Sequence, residues 1–179
     1  MATAYLGIGS NVEPEKNIPL ALKSLGGFAR LTGVSTFYLT QPVGASDSPP
    51  FYNGAARVET EMPPREFKFD VLRKIEGDLG RVRNRDRFAP RTIDLDIVLY
   101  DNLVMREPGL VLPDPDVVTR AFLAVPLLEL APDLVLPGGL KLAEIAGSLP
   151  KDAMTALREF TEALRLELEN ELGANPTAR

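Results

Sequence analysis

The segment Ile93 to Tyr100, with the sequence IDLDIVLY, is the clearest strand pattern in the chain and constrains the fold most. Side chains alternate between the two faces of a strand, so Asp94 and Asp96 point the same way, about 6.6 Å apart along its axis. The apolar side chains between them point to the other face and can enter a core. Two carboxylates on one face of a central strand are costly unless a cation neutralises them. The segment therefore predicts a core on one side of this strand and a neutralised acidic pair on the other.

Upstream patterns place this strand last in a series of four strands and two helices. Strands are predicted over the opening ATAYLGIGSN, from Val34 to Tyr38 and from Phe51 to Glu61. Apolar spacing predicts helices from Glu15 to Leu25 and from Pro63 to about Leu79, the second capped by Gly80. The order β-α-β-β-α-β predicts a ferredoxin-like α+β sandwich with a mainly antiparallel sheet.

The remaining chain is predicted to add C-terminal helices to this sandwich. Helices are expected from Arg120 to Leu130 and from Lys151 to Leu172, the second rich in Glu, Leu and Arg. The chain has 179 residues with 45% hydrophobic content, which suits one compact domain. We assign residues 1–150 to that domain and 151–179 to an appended helix and tail, within the same domain or accessory to it. A monomer or weak homo-oligomer is expected.

Composition narrows the chemistry, because the chain contains no histidine and no cysteine. Ser-His-Asp and Cys-His catalysis are excluded, as are imidazole and thiolate metal sites. A net charge of −5 disfavours nucleic acid as a partner. Without a membrane-length apolar run or a signal-peptide pattern, we expect a cytoplasmic protein with no membrane partner. Positioning, arginine electrostatics and a hard metal held by carboxylates remain available.

An arginine-rich segment directly precedes the acidic pair. Its guanidinium groups belong to Arg81, Arg83, Arg85, Arg87 and Arg91. Guanidinium forks suit phosphate oxygens, and Mg²⁺ prefers carboxylate oxygens together with substrate phosphates. The alternative interpretation is a mixed-sign surface loop beside a solvated strand face. The combination favours phosphoryl or nucleotidyl transfer, although neither a Walker loop nor a kinase catalytic loop is present.

The same segment resembles a known family signature. The residues Arg81-Val82-Arg83 and then Phe88-Ala89-Pro90-Arg91-Thr92-Ile93-Asp94-Leu95-Asp96-Ile97 closely resemble that of the 6-hydroxymethyl-7,8-dihydropterin pyrophosphokinases. The resemblance runs from Tyr5 to about Gly139 and implies the same ferredoxin-like sandwich. It also implies pyrophosphoryl transfer from ATP to the hydroxymethyl group of a pterin, leaving AMP, in folate biosynthesis.

The resemblance implies a role for each matching residue. Asp94 and Asp96 would hold two Mg²⁺ ions, while Arg81 and Arg91 would stabilise the transferring group. The residues that would bind ATP are Glu76, Arg83, Ile97, Asp114 and Arg120. The residues that would bind the pterin are Thr40, Pro42, Val43, Phe51, Asn53, Phe88 and Phe122. Of these, Phe51 and Phe122 would stack on the ring, although such aromatic side chains are also common in a core.

The chain departs from the family pattern after Pro113, where Asp114 and Pro115 replace the usual His and Tyr, and Phe88 stands where Trp is common. An Asp facing ATP phosphates would repel them unless a basic neighbour compensates. Two alternatives therefore stay open: a related two-metal transferase with another acceptor, and a ligand-binding sibling with impaired catalysis. An RNA-binding sheet of the RRM type is the weakest alternative, because the chain is acidic and lacks an aromatic-rich RNP strand.

Overall fold

An antiparallel sheet organises the computed structural model, which describes residues 1–42, 48–82 and 90–173. The main sheet has the order β5-β1-β4-β3-β8, and β2 pairs with β4 beside β3; β6 and β7 form a separate hairpin. The strands are β1 (Ala2–Ser10), β2 (Arg30–Val34), β3 (Tyr38–Thr40), β4 (Phe51–Thr60), β5 (Asp94–Tyr100), β6 (Met105–Glu107), β7 (Leu110–Leu112) and β8 (Met154–Ala156).

Helices connect and cover these strands. The helix α2 is a continuous run of an α-helical turn, a π-helical segment and a second α-helical segment, at Pro64–Glu66, Phe67–Leu72 and Arg73–Asp78. The others are α1 (Pro14–Gly26), α3 (Ala121–Leu130), α4 (Leu142–Ser148) and α5 (Arg158–Leu172), with a 3-10 turn at Pro115–Val118 before α3. Gly80 ends α2 with a φ of 80°, and the Arg81 N–H returns to the Glu76 carbonyl at 3.0 Å, so the predicted cap is confirmed.

Both faces of the sheet bury apolar side chains, in two separate clusters. Leu95 and Ile97 of β5 belong to the cluster that α1, α2 and α5 complete. Val98 belongs to the cluster that α3 and α4 complete on the other face. Strand alternation places Asp94 and Asp96 on the Val98 face. The ferredoxin-like α+β architecture is confirmed, and the C-terminal helices α3 and α4 cover only part of the second face.

The strand expected from Val34 to Tyr38 is wrong, because the edge of the sheet is broken there between β2 and β3. Side chains from distant elements take the backbone donors at the break. The Phe37 N–H donates to Thr161 Oγ1 at 2.9 Å, and the Thr36 N–H donates to Glu129 Oε2 at 2.7 Å. These bonds replace ladder bonds that a continuous strand would make.

The C-terminal segment also differs from the expected helix over Lys151 to Leu172. It first forms β8, which pairs with β3, and only then α5. The predicted pattern missed α4 as well. Leu164 and Leu168 of α5 lie in the core cluster beneath the main sheet. Among the described residues, no helix is long and apolar enough to cross a bilayer.

Candidate active site

A cavity of about 530 Å³ opens on the sheet face that α3 and α4 leave partly uncovered. Strands β5, β1, β4 and β3 form its floor, and α3 contributes one wall. The acidic and basic side chains that line it belong to Arg91, Asp94, Asp96, Asp114, Asp116 and Arg120. The amide, hydroxyl and apolar side chains that line it include those of Thr40, Pro42, Phe51, Asn53 and Phe122. The cavity thus brings together most of the predicted site.

The register of three neighbouring strands gives the cavity its order. Gly9 of β1 lies opposite Asp94 of β5 on one side and opposite Asn53 of β4 on the other. Neighbouring strands lie about 4.8 Å apart, so the backbones of Asp94 and Asn53 are separated by about 10 Å across the glycine. Because Gly9 has no side chain, the cavity is open between the Asp94 carboxylate and the Asn53 amide.

Two guanidinium groups neutralise Asp94. Arg81 donates to Asp94 Oδ1, and Arg91 donates to Asp94 Oδ2. Burial by itself raises the pKa of Asp94, but the charges and hydrogen bonds of the two arginines outweigh it, and the pKa lies below its usual value. Asp94 is therefore a carboxylate at neutral pH.

Glu76 supports this arrangement from beneath the strand. Its residue is 1% exposed, and its Oε1 accepts the Leu95 N–H at 2.9 Å and a guanidinium hydrogen of Arg81. Burial lowers the pKa of Arg81, but the charges of Asp94 and Glu76 raise it by more, so the guanidinium stays charged. Neither Glu76 nor Arg81 lines the cavity; Arg81 holds Asp94 from behind, and Glu76 holds Arg81.

Asp96 has a different partner, which the sequence did not indicate. The Lys68 ammonium lies 2.9 Å from Asp96 Oδ1, and its side chain is 15% exposed. Lys68 comes from the π-helical segment of α2, where nothing in the local pattern separates it from an ordinary surface lysine. The Asp96 side chain is 44% exposed and faces the cavity.

Asp114 begins the 3-10 turn that leads to α3. Its N–H donates to the Val98 carbonyl at 2.8 Å, and its Oδ1 accepts the Asp116 N–H at 2.8 Å. Burial raises the pKa of Asp114, and the negative charges of Asp96 and Asp116 add to that rise. Arg120 immediately precedes α3 and lines the same cavity. Asp114, which was predicted to bind ATP, therefore faces the cavity, where its negative charge would act on a bound ligand.

The other half of the cavity is built around the Asn53 amide. Its Nδ2 donates to Thr40 Oγ1 at 2.7 Å, which fixes the amide orientation. The side chains of Phe51 and Phe122 are only partly buried and line the cavity, and Phe122 also packs against the core cluster that α3 and α4 complete. A flat ligand with polar edges could form hydrogen bonds with the amide and stack on the two rings.

Some predicted site residues lie elsewhere. Ile97 is 1% exposed, and its side chain packs in the core on the opposite face of β5. Its side chain therefore does not reach the cavity, because alternation along the strand turns it away from Asp96. Val43, Arg83 and Phe88 lie outside the described residues, and their roles stay predictions.

Comparisons with known proteins identify the family to which the sequence is similar. Residues 5–132 match the family model described as 7,8-dihydro-6-hydroxymethylpterin-pyrophosphokinase (HPPK). The chain is 39% identical over 160 residues to the 2-amino-4-hydroxy-6-hydroxymethyldihydropteridine pyrophosphokinase of Haemophilus influenzae, covering 88% of this chain and 99% of that protein. The protein of the same name from Pseudomonas aeruginosa is 39% identical over 156 residues, covering 86% and 95%.

A solved structure is similar in fold. The Plasmodium falciparum HPPK-DHPS structure with pteroate aligns with a TM-score of 0.65 at 11% identity, covering 98% of this chain and 44% of that one. At this identity the likeness shows the shared architecture alone.

Proposed function

The chain belongs to the 7,8-dihydro-6-hydroxymethylpterin-pyrophosphokinase family, and on that premise we propose how its cavity performs the reaction. It is an ATP-dependent enzyme that transfers pyrophosphate from ATP to hydroxymethyldihydropterin in folate biosynthesis. The observation that carries the assignment of the site is the row Asp94–Gly9–Asn53 across three strands. In this row the carboxylate that we assign to the phosphate half and the amide that we assign to the ring half are about 10 Å apart in one cavity.

A divalent metal fits the β5 half of the cavity. Asp94 and Asp96 offer hard oxygen donors on one strand face, which is the donor type that Mg²⁺ prefers. Among residues 1–42, 48–82 and 90–173, no group of three or more potential ligands forms a closed metal site. Mg²⁺ is usually bound by one or two carboxylates together with substrate phosphates, so we assign two Mg²⁺ ions to the pair, with phosphate oxygens of ATP as further ligands. When bound, such ions neutralise the charge that develops on the transferring group.

The arginines supply the remaining positive charge. Arg91 is 30% exposed and lines the cavity, so its guanidinium can exchange Asp94 for a phosphate oxygen. Arg81 is 11% exposed and lies behind Asp94, where Glu76 holds it. Arg120, at the start of α3, faces the cavity and suits an ATP phosphate. These groups act by electrostatic stabilisation at preset positions.

The Asn53 half would bind the pterin. The amide, oriented by Thr40, would hydrogen-bond the ring edge, and Phe51 and Phe122 would stack on its faces. The pterin hydroxyl oxygen then forms a bond to the β-phosphorus of ATP, and the bond from that phosphorus to the α,β-bridging oxygen breaks, which releases AMP. The hydroxyl proton is released to solvent. A histidine-free chain has no imidazole base, so positioning and charge stabilisation carry the step.

Product analysis tests this proposal. The protein is incubated with MgATP and 6-hydroxymethyl-7,8-dihydropterin, and equal amounts of AMP and pterin diphosphate are expected. ADP or free pyrophosphate would support a related transferase with another acceptor, and binding without AMP would support a catalytically impaired sibling. Asp94→Ala or Asp96→Ala should lower the turnover rate by at least about a hundredfold, since each removes a proposed metal ligand.

The matched control is Asp78→Ala, an exposed carboxylate of α2 that pairs with Lys74 outside the cavity. It should keep the turnover of the unaltered enzyme. Turnover near that of the unaltered enzyme in either the Asp94 or the Asp96 variant would contradict the metal assignment.

A further inference from the structure

Lys68 is a cationic side chain aimed at the proposed metal pair, and the reaction described above gives it no role. Its ammonium is 2.9 Å from Asp96 Oδ1, and only 15% of its side chain is exposed. The segment that carries it, Phe67–Leu72, is π-helical, and the Arg73 N–H bonds to the Lys68 carbonyl. π-Helical turns inside α-helices occur frequently at functional sites.

The charges of the two β5 carboxylates are balanced differently. Asp94 holds two guanidinium groups, one from Arg81 and one from Arg91. In the described part of the chain, the ion pair of Asp96 is the one with Lys68. A divalent cation on Asp96 would repel an ammonium on the same carboxylate, which favours displacement of the Lys68 ammonium when the metal binds.

A second anionic group lies within electrostatic range of the displaced ammonium. Asp114 lines the same cavity as Asp96, and the positive charge of Lys68 offsets part of the rise in the Asp114 pKa. Asp114 would repel the ATP phosphates, and a cation beside it would cancel that repulsion. Lysine suits this task, since its flexible four-carbon stem lets three ammonium hydrogens change partners.

We propose that Lys68 is a positioning residue that occupies Asp96 in the ligand-free enzyme and moves its ammonium towards Asp114 and the ATP polyphosphate when a divalent ion takes Asp96. This inference rests on the proposed function of the cavity. Lys68 thereby has opposite effects on the two ligands: it competes with the metal alone and assists the nucleotide.

Two binding measurements on Lys68→Met test this sign reversal. The first titrates Mn²⁺ alone and follows free Mn²⁺ by electron paramagnetic resonance. The second titrates α,β-methylene ATP with Mg²⁺ by calorimetry, because this analogue cannot be cleaved at the reacting position. Mn²⁺ should bind about three- to tenfold tighter to the variant, and the nucleotide about tenfold weaker.

The controls separate this effect from structural damage. Lys74→Met removes an exposed lysine of the same helix that pairs with Asp78, and both affinities should stay unchanged. Lys68→Arg keeps the charge and should restore most of the nucleotide affinity. If Lys68→Met weakens both ligands, strengthens both or leaves either unchanged, the inference is wrong. If the unaltered enzyme binds neither ligand, the proposed function fails and this inference fails with it.

Discussion

Replacing Glu76 with Gln isolates the charge that lies beneath the active site. Glu76 is 1% exposed, and it accepts the Leu95 N–H at 2.9 Å and a hydrogen bond from Arg81. Gln keeps an oxygen for the Leu95 N–H but loses the negative charge. Removing one partner of a buried ion pair costs about 3–5 kcal/mol. Because Arg81 retains Asp94 as a partner, we expect a smaller loss, about 2–3 kcal/mol.

The measurement is urea unfolding followed by circular dichroism at pH 7, supported by thermal melts. For a chain of this size, 1 kcal/mol corresponds to about 2–4 °C, so the melting temperature should fall by about 4–12 °C. The matched control is Glu66→Gln, an exposed residue of the same helix, which should stay within about 0.5 kcal/mol of the unaltered protein.

A double variant locates the cause of the loss. Glu76→Gln leaves the buried Arg81 guanidinium without one of its negative partners, and adding Arg81→Met removes that guanidinium. The double variant should therefore lose less free energy of unfolding than the sum of the two single losses. A loss below about 1 kcal/mol in Glu76→Gln, or strict additivity in the double variant, would refute the role of the buried charge.

Two further substitutions test the two halves of the cavity. A Cβ on Gly9 would lie 2.8 Å from Asn53 Oδ1, so Gly9→Ala should raise the KM for the pterin about ten- to a hundredfold by displacing the amide. Gly77→Ala, where a Cβ meets nothing within 4 Å, should not change that KM, and an unchanged KM in Gly9→Ala would contradict the placement of the ring. Asp114→Asn keeps an oxygen for the Asp116 N–H but removes a carboxyl group whose pKa is raised in the folded protein. The substitution should therefore raise the free energy of unfolding at pH 7, and this gain should vanish as the pH falls below the ordinary carboxyl pKa of 3.8. The variant should also bind MgATP about threefold tighter, because the repulsion between two unit charges about 6 Å apart in water is about 0.7 kcal/mol. A stability gain that persists at pH 3 would show another cause.

The order of elements was predictable where burial follows a local period. The strand β5 alternates between core and cavity as its sequence indicates, and α1 and α2 bury the apolar stripes that predicted them. The edge at Thr36 and Phe37 was not predictable, because their N–H groups donate to Glu129 and Thr161, far away in the chain. Local patterns contain no record of such partners.

The site divides in the same way. Asp94 and Asp96 share a face because of strand geometry, and the family resemblance correctly brought Asn53 into the same cavity. The pairing of Lys68 with Asp96 depends on how α2 packs against β5, which no spacing between the two residues in the chain reports. Glu76, which the resemblance assigned to ATP binding, is buried and accepts hydrogen bonds from Arg81 and the Leu95 N–H.

The π-helical segment of α2 also determines which directions its side chains point. In an uninterrupted α-helix, two residues eight positions apart differ by about 80° around the axis. The π-helical turn contains about one residue more than an α-helical turn. The rotation of that additional residue offsets most of the difference of about 80°, so Lys68 and Glu76 lie on the same side of the helix. Lys68 meets Asp96 and Glu76 meets the Leu95 N–H from that side. The π-helical turn thus allows one helix to contact two consecutive residues of β5, through the side chain of Asp96 and through the backbone N–H of Leu95.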